Sequence, residues 1–177
     1  MGKALTSFER PLVTADAPYD DDLKGNTSAL TAQQVQGLTA AVAAGCARGH
    51  SGPMFSDYQA HVLGLPNSPK LAADPGINDT KGFRTPSLRN VALTAPYMHN
   101  GVLATLQAVL NFYDQGGATG ARRSTRTWPR VSWPQLPGRV QNTGAILAFL
   151  QALSAKSYAR TIPASVPSGL PVGGNLK

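Results

Sequence analysis

Apolar residues recur at helical spacing in four stretches of the chain. The first is short, from about Ala4 to Arg10. The second opens at Leu30-Thr31-Ala32-Gln33-Gln34, where Thr31 can act as N-cap and Gln34 stands three residues on, as a capping box requires. Val35, Leu38 and Val42 then fall on one stripe, and the helix runs into Gly45-Cys46. The third starts near Thr105, another good N-cap, with Leu106, Val109, Leu110 and Tyr113 on one face and Gly116-Gly117 to stop it. The last spans about Val140 to Ser154, with Ile146, Phe149, Leu150 and Leu153 as its stripe.

Between these stretches the chain reads as loop. A polar segment from Thr14 to Ser28 carries Asp20, Asp21 and Asp22, and residues 51 to 102 are rich in turn formers. The whole chain holds 18 Gly and 14 Pro. From Thr161 onward Pro163, Pro167 and Pro171 predict an extended C-terminal strap. Nothing alternates at period two and no internal repeat is visible, so the expected class is all-α with long Gly/Pro-rich loops. With 177 residues the chain suffices for one domain: an N-terminal helix and loop over 1–30, a core over 31–155 and a tail over 156–177.

Charge adds a basic balance. The formal net charge is +7, and basic residues gather at Arg122, Arg123, Arg126 and Arg130 with Trp128 and Trp133 nearby. Basic-plus-aromatic is a cue for nucleic acid. The segment is also broken by Pro129, Pro134 and Pro137, so a solvated surface loop is the better reading and no nucleic-acid partner is expected. A lone cysteine, Cys46, rules out an intrachain disulfide. No run approaches the ~20 apolar residues of a membrane span. Met1 to Pro11 has no apolar stretch of signal-peptide type, and the myristoylation-like Met1-Gly2-Lys3-Ala4-Leu5-Thr6 reads as chance. As written, the chain is expected in the cytoplasm, unless Met1 is an artificial start and an exported N-terminal part has been lost.

The candidate chemistry begins at Cys46-Ala47-Arg48-Gly49-His50. A c-type haem site is C-x-x-C-H: two thiols form thioethers and the adjacent His ligates iron. Here Gly49 stands where the second cysteine would be, so at most one thioether can form. The motif continues as Ser51-Gly52-Pro53-Met54-Phe55-Ser56-Asp57. Further on comes the run from Gly82-Phe83-Arg84-Thr85-Pro86-Ser87-Leu88-Arg89-Asn90 through Thr94-Ala95-Pro96-Tyr97-Met98-His99-Asn100-Gly101, then Ala104-Thr105-Leu106. Together these strings resemble the C-terminal haem domain of di-haem cytochrome c peroxidases, a family that includes MauG-type proteins. The resemblance reaches upstream to Phe8-Glu9-Arg10 and downstream to Pro163–Pro171, and only about 118–139 diverges.

The resemblance implies a cytochrome c-like fold and roles position by position. His50 corresponds to the proximal iron ligand. The distal ligand lies in the third helix, fourteen residues beyond His99, at Tyr113. Tyrosine there resembles the MauG-type subgroup, and a phenolate is a hard anionic ligand suited to ferric iron. Thr94 and Pro96 match positions whose carbonyls help hold calcium between two domains, and Arg89 is a candidate partner for a haem propionate. The implied partners are a redox protein or an N-terminal haem domain, and the implied location is the periplasm. An apolar face left open by that second domain would favour a homodimer.

Other readings stand beside these. Tyr113 on an apolar helix face also fits a core aromatic, and His50 a relic histidine in an old pocket. Met98 reads as packing, His61 and His99 as pocket or loop residues. Without haem, a cavity lined by Ser51, His50, His99 and Tyr113 would resemble a primitive esterase site, with Ser51 as nucleophile, a histidine as base and Asp57 to orient it. The match to a G-x-S-x-G elbow is incomplete, because position 53 is Pro. A remnant without catalysis is the third possibility.

Overall fold

The structure is a computed structural model that describes residues 2–9, 14–115 and 140–156. The basic Arg122–Arg130 cluster, the Gly116-Gly117 stop and the Pro-rich tail lie outside the described residues. Among the described residues five α-helices follow in order: α1 (Gly2–Glu9), α2 (Pro18–Leu23, in the segment read as a polar loop), α3 (Ala32–Ala44), α4 (Leu106–Asp114) and α5 (Thr143–Ala152). Residues 51–102 are mostly irregular. They do contain one antiparallel ribbon, β1 (Ala60–His61) against β2 (Phe83–Arg84), with Ala60 opposite Arg84 and His61 opposite Phe83. Two residues per strand are too few to show a period-two pattern, which is why the sequence predicted no strand.

Local chemistry sets the helix ends. The Thr31 hydroxyl accepts from the Gln34 N–H at 3.2 Å, and the Gln34 side chain accepts from the Thr31 N–H at 2.8 Å, so the predicted capping box forms. At the other end Gly45 takes φ 90°, and its N–H bonds the Ala41 and Val42 carbonyls. The Thr105 hydroxyl likewise accepts from the Ala108 N–H at 3.1 Å to start α4.

The packed face of α3 is not the apolar stripe. Its buried residues are Gly37, Ala41 and Ala44, which meet α5, while Val35 and Val42 stay 47% and 54% exposed. Gly37 is required at the crossing: a Cβ there would stand 1.9 Å from the Ala145 carbonyl oxygen. Small residues let the two backbones approach, and α5 fills the space around them. Ile146, Phe149, Leu150 and Leu153 are all buried, as their spacing predicted. Tyr19, Phe55 and Phe149 form a ring cluster, with centroids 5.2 to 6.1 Å apart, that ties α2 and the 51–57 loop to α5. Among the described residues no helix is long and apolar enough to cross a membrane.

Candidate functional site

A cavity of about 970 Å³ lies beside this core. One wall is apolar: Leu38, Ala41 and Val42 of α3, Leu106, Val109 and Leu110 of α4, and Ile146, Phe149 and Leu150 of α5. The opposite wall comes from the irregular 46–99 region. The Val35/Leu38/Val42 stripe therefore has a meaning other than core packing. Two of its three members face the cavity, where an apolar ligand would cover them.

Cys46 opens the short 3₁₀ turn Cys46–Arg48 that follows the Gly45 cap. The His50 N–H bonds the Cys46 carbonyl at 2.9 Å, so the two residues stand one turn apart, and both line the cavity. Burial pushes the Cys46 thiol up, which keeps it protonated. Gly49 is buried and offers no second sulfur.

His50 is held by backbone carbonyls, those of Phe55 and Pro86. Its Nδ1 lies 3.0 Å from the Phe55 carbonyl oxygen, which makes Nδ1 the N–H of the neutral ring and leaves the lone pair on Nε2. Burial holds its pKa below the ordinary histidine value, although the Phe55 carbonyl, the Asp57 charge and the Pro86 carbonyl oppose this. Backbone bonds fold the loop under it: Ser56 N–H to Ser51 at 2.8 Å and Asp57 N–H to Gly49 at 2.7 Å. Tyr113 projects from α4 onto the same cavity, and burial pushes its phenol up to about 12, with Cys46 adding a smaller effect.

The remaining expected residues are more dispersed. His99 lines the cavity but is exposed and stacked on Phe83, with centroids 3.5 Å apart. Met98 lines it as well. Arg89 reaches the cavity wall, yet its guanidinium is engaged elsewhere. It makes a bidentate pair with Asp20, Nη1–Oδ2 and Nη2–Oδ1 both 2.9 Å, and donates from Nε to the Pro53 carbonyl at 2.7 Å. The expected propionate role thus meets a side chain already committed to protein partners. Thr94 and Pro96 are exposed and also border the cavity. Among the described residues no three His, Cys, Asp or Glu side chains gather as a metal site. Two neutral carbonyls fall short of the six to eight oxygens calcium takes.

For ester hydrolysis the parts are not joined. Among the described hydrogen bonds none links the Ser51 hydroxyl to His50. Asp57 pairs with His61 at 2.7 Å instead of orienting His50. The neighbouring Ser56 hydroxyl donates to the Thr85 carbonyl at 2.7 Å and is spoken for. Sequence reasoning missed two partners that matter, Asp20 and the Asp57–His61 pair. Asp20 sits in an acidic run that reads as a solvated loop, and only the fold brings it to Arg89.

No family model matches the chain. Among curated proteins it is 34% identical to a cytochrome-c peroxidase of Denitromonas iodatirespirans, over 84% of this chain and 47% of that one. It is also 34% identical to the methylamine utilization protein MauG of Methylorubrum extorquens, over 90% of this chain and 45% of that one. The identity to cytochrome c551 peroxidase of Pseudomonas aeruginosa is 34%, over 88% and 44%. Among solved structures it resembles a MauG-like protein associated with microbial copper homeostasis. The TM-score is 0.66 and the identity 29%, over 87% of this chain and 52% of that one. The chain spans about half the length of the relatives it matches.

Proposed function

This chain is a relative of the cytochrome c peroxidase and MauG proteins over most of its own length, and from that premise we propose that it is a haem-binding domain of electron-transfer or peroxidase type. The carrying observation is the state of His50: a neutral imidazole in a cavity wall, its Nδ1 given to the Phe55 carbonyl, with Cys46 one turn before it. Outer-shell bonding of this kind fixes the tautomer and orients a ligating ring.

In this reading His50 Nε2 is the proximal ligand and Tyr113 the distal one. Cys46 is the single thioether site, because position 49 is Gly. Bound haem supplies one-electron chemistry and reaction with peroxide. The chain's own residues do the rest. Leu38, Val42, Val109 and Leu110, which line the cavity, would exclude water from a bound haem. Burial holds the Tyr113 proton, and an iron cation opposite its oxygen would favour its release. With Arg89 engaged by Asp20, Lys81 and Arg84 are the other cationic side chains lining the cavity that could meet the propionates.

The basic net charge suits a redox protein with an acidic docking face, and covalent attachment would place the working protein in the periplasm. Calcium is left out of the scheme, since Thr94 and Pro96 alone do not make its site. The test is titration of the purified chain with haemin, followed by a pyridine haemochrome assay. A Soret band saturating at about one haem per chain is expected, with a band position reporting one thioether where attachment has occurred. A protein whose spectrum stays that of free haemin would overturn the reading. Hydrolysis of a p-nitrophenyl ester, lost in Ser51→Ala, would then favour the esterase alternative.

A further inference from the structure

Arg89 and Asp20 stand 69 residues apart in sequence, yet their side chains are only 10% and 9% exposed and meet in a two-pronged ion pair. Asp20 is itself fixed, since its Oδ2 accepts from the Ala17 N–H at 3.1 Å. From this anchor the Arg89 Nε donates to the Pro53 carbonyl at 2.7 Å. Its guanidinium carbon lies 5.9 Å from the Phe55 ring centroid. Phe55 in turn provides the carbonyl that holds His50 Nδ1.

Phe55 has φ 52°, a left-handed conformation that a bulky side chain does not choose by itself. Such a conformation persists when its surroundings over-determine it. Here those surroundings are the rings of Tyr19 and Phe149 and the guanidinium of Arg89. A buried ion pair is a weak source of stability, because desolvation offsets most of the attraction. Its value lies in fixing one geometry. We propose that the Asp20–Arg89 pair is a positioning element for His50: it holds the 53–55 loop so that the Phe55 carbonyl sets the imidazole's tautomer and direction. This role rests on the reading of His50 as a haem ligand.

Two variants of the full chain test it. Asp20→Leu/Arg89→Met removes both charges together, a change that is often neutral or stabilising for a buried pair. Arg89→Lys keeps the charge but loses the fork that serves Asp20 and Pro53 at once. The first readout needs no haem: nitrogen-15 shifts of the His50 ring, with circular dichroism to confirm folding. Wild type is expected as the single Nδ1–H tautomer, and both variants as folded proteins with mixed tautomers. The second is haemin affinity, expected to fall about tenfold, as for other outer-shell partners of a metal-bound histidine. Folded variants that keep the Nδ1–H tautomer and wild-type affinity would overturn the positioning role alone. A wild-type chain that takes up no haem would overturn the cofactor reading and this role with it.

Discussion

Along α3 the residues Gly37, Ala41 and Ala44 meet α5 in close packing, whereas Leu38 and Val42 on the adjacent side border the cavity. The first face is built from the smallest side chains and is buried, with Ala41 at its edge towards the cavity. The second carries larger, more hydrophobic ones and is partly open: Leu38 packs against the core, and Val42 is 54% exposed. Burial of a Val or Leu side chain stabilises by roughly 1.5–3 kcal/mol, so an open apolar stripe is burial not yet realised. The contrast makes opposite demands of the two faces: substitutions on the packed one act on folding, those on the open one on ligand.

The sharpest way to break the comparison is Gly37→Ala. The new Cβ would fall 1.9 Å from a backbone oxygen, which cannot swing aside, so α3 and α5 must separate. Overpacking of this kind is expected to cost at least about 3 kcal/mol. Thermal melts would show a fall of roughly 6–12 °C for a chain of this size. A melt within 2 °C of wild type would mean that the crossing is looser than described. Leu153→Ala follows. Leu153 is 0% exposed, and its truncation is expected to cost about 3 kcal/mol through lost burial and the cavity left behind, read by urea denaturation.

Tyr113→Phe gives a smaller effect confined to alkaline pH. The folded state holds the Tyr113 proton more tightly than the unfolded chain does, with the phenol pushed up to about 12 by burial. The stability this supplies is whole below about pH 10, the ordinary tyrosine value, and is lost as pH rises towards 12. Tyr113→Phe should therefore lose up to about 2 kcal/mol less than wild type between pH 9 and pH 12. Urea midpoints at the two pH values decide it, and parallel curves would count against the burial. The smallest effect on folding is expected at the open face. Val42→Ser should change stability by no more than about 0.5 kcal/mol while weakening haemin binding severalfold. Equal haemin affinity in the two proteins would show that the stripe does not cover the ligand.

Much of the frame was legible because its signals are local. Thr31 with Gln34, Thr105 before Leu106, and Gly45 after Ala44 announce helix ends through bonds between near neighbours. The α5 stripe was legible too, because a helix buried on one side must repeat its large residues at that side's period. The same rule misled at α3, where periodicity marks an apolar face without saying what covers it. The Arg89–Asp20 pair was not legible for a related reason: a cation near a cofactor motif suggests an anionic ligand, and Asp20 is distant in the chain.

The sequence by itself determined where α3 starts and stops, where α4 starts, and that a second sulfur is missing at position 49, whereas it read α2 as loop. These follow from residue type and spacing, which act over a few bonds. Only the tertiary structure decided which face of α3 is packed, that the His50 ring gives its Nδ1 to Phe55, and that Asp20 claims Arg89. Those outcomes depend on surfaces and charges separated by tens of residues. Burial and the low dielectric of the interior reward their pairing only once the chain has closed around them.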